Sequence, residues 1–70
     1  MRDLTEPVDW QVLISHPASR TEYQEAETSR GTVARVTEDG HEVVSPSGDT
    51  EQVRRQYNGR VQAYLKSYGL

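Results

Sequence analysis

Residues 32–45, TVARVTEDGHEVVS, hold the key to this chain: two valine-bearing runs flank an Asp39-Gly40 pair. Asp-Gly in a two-residue loop suits a type I′ turn, in which both central positions take φ > 0. The stretch reads as a β-hairpin, and its loop length opposes Val36 to Val43 and Arg35 to Val44. One face then carries Ala34, Val36 and Val43, while Val33 and Val44 share the other with Arg35, Thr37 and Glu42. Apolar residues on both faces predict a helix over one side and partial cover of the other by a remaining strand or a neighbouring chain.

The helix follows directly. SPSGD, residues 45–49, is turn chemistry. Asp49 or Thr50 can cap a helix, and Asp49 with Gln52 has capping-box spacing. From there Val53, Tyr57, Val61, Tyr64, Leu65 and Tyr68 fall within roughly a third of the helical wheel, the width of a core-facing stripe. Gly59 lies on the opposite side, where it costs about 1 kcal/mol relative to alanine and marks the point at which a bend or break would fall.

Upstream, VDWQVLI (8–14) places apolar residues at 8, 10, 12 and 14, with only Leu13 out of phase, so the period is that of a strand. Its rival is a helix entered through Thr5 with Pro7 in the first turn. His16-Pro17 ends the element, because the residue before proline avoids helical angles and proline donates no hydrogen bond. In SRTEYQEAETSRG (19–31), Ser19 and Glu22 have capping-box spacing, Tyr23 and Ala26 lie one turn apart, and Gly31 supplies a stop. This predicts a short, polar helix. The expected architecture is α+β: one domain over residues 1–70, a small three-stranded sheet in β-α-β-β-α order, and a long C-terminal amphipathic helix packed across it.

A chain of 70 residues removes only about 60% of its unfolded surface from water, so the core is thin. Domains this short are supplemented by disulfides, a metal or self-association. With no cysteine, disulfides and thiolate metal sites are out, which adds weight to self-association or a permanent partner. MRDLTEPVDW has no apolar core of the signal-peptide kind and no apolar run suits a bilayer span, so a cytoplasmic location with no membrane contact is expected. The net charge of −3 is unevenly placed: residues 1–50 hold ten acids against four arginines, whereas residues 51–70 hold Glu51 against Arg54, Arg55, Arg60 and Lys66. Such asymmetry suits an anionic partner or a basic helix lying on its own acidic sheet.

Catalytic motifs are lacking. VSPSGD misses the first glycine of a nucleophile elbow, and Gly31, Gly40 and Gly48 sit singly at turns and not as a phosphate cradle. His16 and His41 have no metal-ligand spacing. Glu38 and Asp39 lie on a turn, where desolvation hardly raises a pKa. No enzyme activity, cofactor or metal is expected. Nucleic acid is the stronger rival, since a hairpin beside Arg54, Arg55 and Arg60 has the parts of a wing and a basic helix. Against it, the tip carries Glu38, Asp39 and Glu42, which repel a phosphate backbone.

Tyr57, Tyr64 and Tyr68 share one stripe with Arg54. Tyrosine in place of leucine or phenylalanine suits a surface part buried and part wet, and tyrosine with arginine is the composition of interface hot spots. These four residues are the candidate partner-binding set. The other reading of the rings is cover for a thin core, with their hydroxyls at the rim.

The span Gly31 to Leu65 also resembles the hairpin-plus-helix half of the small head-completion protein W of lambdoid phages: a Val-x-x-Val strand, an Asp-Gly turn, a returning valine and a capped amphipathic helix at similar spacing. It covers about half the chain. That family's first helix is apolar, whereas RTEYQEAETSR is nearly all polar, and VDWQVLI has no counterpart there. The resemblance implies a role in assembly. The expectation is a non-enzymatic interaction or assembly module acting through the aromatic helix and an open sheet edge, on itself or on a larger protein; the alternative is a small nucleic-acid-binding domain.

Overall fold

The structure, a computed structural model, describes residues 9–68. Val8, expected to begin the first strand, and Thr5 and Pro7 of the rival helix lie outside the described residues. The order is β1 (Gln11–His16), a 3-10 turn (Pro17–Ser19), β2 (Thr21–Thr28), β3 (Gly31–Glu38), β4 (His41–Ser47) and α1 (Thr50–Ser67). The four strands form one antiparallel meander in sequential order, with β1 and β4 at its edges. The α+β class and the long C-terminal helix agree with the sequence reading. The three-stranded sheet and the β-α-β-β-α order do not.

The correction lies in residues 19–31, where a strand replaces the expected helix. Tyr23 and Ala26 do not share a face: Tyr23 pairs with Val36 beneath α1, whereas Ala26 pairs with Val33 on the other side. As an inner strand, β2 has its backbone paired on both edges, a gain that offsets the modest helix preference of its Glu, Gln and Ala residues. Ser19 caps no α-helix. Its Oγ lies 2.7 Å from His16 Nδ1 and 2.8 Å from Thr21 Oγ1, fastening the 3-10 turn. Arg20 then takes a left-handed conformation (φ 55°), and its carbonyl accepts from the Asp39 N–H at 2.9 Å, tying the first turn to the hairpin tip.

The 39–40 hairpin forms with the expected turn, Asp39 at φ 54° and Gly40 at φ 82°. Its register holds for two pairs, Glu38 with His41 and Thr37 with Glu42, and then shifts so that Val36 opposes Val44. The extra residue, Val43, is a bulge. Because of it both Val43 and Val44 pack against the core, instead of dividing between the faces. A second irregularity falls before Ser47, beside Pro46, whose missing N–H is tolerated on an edge strand. In β1 the shift falls at Leu13, the residue out of phase in the sequence: Val12 pairs with Gln24 and Ile14 with Tyr23, so the two leave on opposite faces.

The core is Tyr23, Ala34, Val36, Val53 and Tyr57, ringed by Ile14, Val43, Val44 and Val61. Helix α1 is continuous through Gly59. Its first turn is capped by Asp49, whose Oδ1 accepts from the Gln52 N–H at 3.2 Å.

The second face of the sheet is covered by its own side chains, not by another strand. The Arg35 guanidinium lies 4.2 Å from the Trp10 ring centroid, donates from Nε to Gln24 Oε1 at 2.8 Å, and reaches Glu42 Oε2 at 3.3 Å. Gln24 Nε2 donates in turn to Glu22 at 2.9 Å. Beneath this layer Gln24, Ala26 and Thr37 are buried.

Candidate interaction surface

The four candidate residues separate. Tyr57 is in the core, its pKa raised by burial, with its ring edge-on to Tyr23. Arg54 is exposed, its guanidinium 5.7 Å from the Tyr23 ring centroid. Tyr64 and Tyr68 come together: their centroids are 4.6 Å apart, Tyr64 is half-buried and Tyr68 is 65% exposed.

A residue that sequence reasoning had set aside completes this group. His16, the last residue of β1, meets Tyr64 edge to face at 5.8 Å. An aromatic run, His16–Tyr64–Tyr68, therefore leads from the end of an edge strand along the last turns of α1. Only the location of the candidate helix stripe was legible in the sequence; that it ends against β1 depends on how the helix crosses the sheet.

The two sheet edges differ in kind. β4 carries Glu42, Pro46 and two register shifts, all features that discourage strand addition. β1 (QVLISH) holds no Asp, Glu, Lys or Arg, and Val12 and Leu13, at 48% and 50%, are among the most exposed large apolar side chains. Its one protective feature is the shift at Leu13. Beside it lies a surface hollow of about 310 Å³ lined by Asp9, Gln11, Leu13, Glu25, Ala26 and Glu27.

Charge is matched locally at the hairpin tip. The three carboxylates at the hairpin tip each meet an arginine: Glu38 with Arg60 at 3.4 Å, Asp39 with Arg20 at 3.1 Å and Glu42 with Arg35 at 3.3 Å. The tip is thus locally neutral. Arg54, Arg55 and Lys66 lie exposed on α1.

Among the described residues, Tyr23 is the most strongly perturbed group. Burial, reinforced by donation of its hydroxyl to Glu25 at 2.6 Å and by that carboxylate's charge, pushes its pKa up to about 12. A second hollow, of about 350 Å³, opens here between Tyr23, Glu25, Thr50, Glu51 and Arg54. A phenol held neutral this firmly is a structural hydrogen-bond donor, not a base.

Among the described residues, the His16–Ser19 contact pairs a base with a hydroxyl in the way nucleophilic catalysis begins. Ser19 Oγ is already engaged by Thr21 and the His16 carbonyl, and neither hollow includes either residue. Among the described residues no group of three or more His, Cys, Asp or Glu side chains is placed to hold a metal, and no helix is long and apolar enough to cross a membrane.

Comparisons with protein-family models, curated proteins and solved structures find no match, so the likeness to the phage head-completion protein gains no support from them.

Proposed function

We propose that this chain is a non-enzymatic protein-interaction or assembly module that binds through the β1 edge and the adjoining His16–Tyr64–Tyr68 patch. The observation that carries this reading is the contrast between its edges: β4 is guarded by a proline, a carboxylate and two shifts, whereas β1 is uncharged and half-exposed at Val12 and Leu13. Strand addition supplies main-chain hydrogen bonds, and the exposed apolar residues and tyrosines supply area and selectivity. Arg54 and the other helix arginines set orientation at the rim. A thin core agrees with a surface completed by another chain.

A photo-crosslinking residue at position 13 or 68, and separately at position 56 on the outer face of α1, tests this in extract from the source cells. Adducts to protein at 13 that are lost on Tyr68→Ala, and at 68 that are lost on Leu13→Lys, support the reading. Adducts confined to 56, or none at 13, contradict it.

A second reading, a small nucleic-acid-binding domain using α1 and the β3–β4 hairpin, rests on the exposed Arg54 and Arg55. Phosphate-driven binding weakens steeply with salt, whereas an apolar edge hardly responds, so salt titration separates the two.

A further inference from the structure

We infer that the β1 edge takes an extended segment of another protein in which a lysine or arginine stands beside alternating apolar residues. This rests on the reading above and goes beyond it by naming the chemistry of the partner. An added strand gains main-chain hydrogen bonds whatever its sequence, so the side chains along the edge decide what is accepted. Those side chains change along β1. Its middle is apolar, with Val12 and Leu13 half-exposed. At its start the hollow of about 310 Å³ gathers Asp9, Glu25 and Glu27 around Gln11, Leu13 and the buried Ala26, three carboxylates and no cation. At its far end stand His16 and Tyr64.

The charge of this hollow is not answered among the described residues. Each carboxylate of the hairpin tip meets an arginine, but none of the described ion pairs reaches Asp9, Glu25 or Glu27. Glu25 and Glu27 accept from neutral donors, the Tyr23 hydroxyl at 2.6 Å and the Thr32 hydroxyl at 2.5 Å. A hydroxyl occupies one acceptor site of a carboxylate and leaves others for a cation. Arg54 shares the second hollow with Glu25, over the Tyr23 ring, and does not line this one. A strand laid along β1 carries its side chains past Leu13, where an ammonium or guanidinium meets the carboxylates while its aliphatic stem covers the leucine. A second copy of the chain would offer β1 itself, which has no Lys or Arg, and a phosphate backbone would meet like charge.

Selection from a displayed library of random peptides about ten residues long, the upper length of a common strand, tests this. The native chain is expected to enrich peptides in which Lys or Arg holds a fixed position beside alternating apolar residues. The charge-reversed variant, Asp9→Lys with Glu27→Lys, should select Asp or Glu at that position instead. A synthetic copy of the best native peptide should bind about tenfold more weakly to the neutral variant, Asp9→Asn with Glu27→Gln. Both side chains are exposed. Should circular dichroism show the reversed variant unfolded, the neutral one carries the test, and an unchanged peptide affinity overturns the inference. A native chain that pairs only with itself at β1 in sedimentation equilibrium overturns it too. Val12→Asp, which removes apolar area and adds no positive charge, separates the two levels. Enriched peptides that are lost on Val12→Asp but hold no basic position defeat this inference alone. Peptides that bind Val12→Asp as tightly as the native chain, or no enrichment at all, defeat the reading beneath it.

Discussion

The Tyr23 and Tyr57 rings meet edge to face, centroids 6.3 Å apart and planes at 62°, and this contact joins the inner strand β2 to α1. Both are almost fully buried, beside Val36 and Val53. Tyr57→Ala should therefore cost about 3–5 kcal/mol, the range for deleting a buried aromatic ring. A domain of this length has roughly 4–10 kcal/mol in all. Urea unfolding followed by circular dichroism is expected to show a large drop in midpoint for Tyr57→Ala and a small one for Tyr68→Ala, whose ring is mostly in water.

Tyr23 also sets an alkaline limit. Its folded pKa, about 12, lies above the ordinary value of 10. The unfolded chain thus releases this proton first as pH rises, and stability that is complete below about pH 10 is lost toward about pH 12, by roughly 2–3 kcal/mol. Denaturation midpoints across that window should fall in the native chain and fall less in Tyr23→Phe. A flat profile in the native chain would contradict the buried, carboxylate-bound phenol.

Gly59 offers a gain. It is exposed in the interior of α1, and an added Cβ meets nothing within 4 Å. Gly59→Ala should stabilise by up to about 1 kcal/mol and raise Tm by roughly 4–8 °C. An unchanged or lower Tm in a calorimetric scan would contradict an open, regularly helical position at residue 59.

Arg35 holds the second face of the sheet closed over Gln24 and Thr37. Arg35→Ala removes its hydrogen bonds to Gln24 and Glu42 and the cation beneath Trp10, at a cost of roughly 1–3 kcal/mol. Trp10 is the only tryptophan, so its emission reports directly and should shift to the red as the ring gains water. Arg35→Lys should restore the charge but not the fork of donors, and recover only part of the loss.

The helix and the 39–40 turn were legible because each rests on local chemistry: a 3.6-residue stripe from Val53 to Tyr68, and a pair of residues suited to positive φ. β2 was not. Tyr23 and Ala26 are one helical turn apart and also fall on opposite faces of a strand, and with Glu at 22, 25 and 27 no period-two apolar alternation was present to decide between them. What made it an inner strand was backbone pairing with β1 and β3, which only the assembled sheet reveals. The far face needs no apolar alternation because Arg35, Gln24 and Trp10 cover it. Leu13 and Val43 teach a related lesson. The phase slip at Leu13 stood in the sequence, but its meaning as a register shift emerged from the partner strand, and the shift at Val43 left no local mark. Among the interface residues, Tyr64 and Tyr68 were found through the stripe, while His16 depended on where the helix ends.

The open β1 edge is most directly tested by a single cysteine, since the native chain has none. Capping the thiol of Leu13→Cys with a bulky maleimide is expected to abolish the partner adducts formed at position 68, while the same cap on Ser45→Cys at the guarded edge leaves them intact. Adducts at 68 that survive the cap at 13, or that are lost equally with the cap at 45, would contradict it.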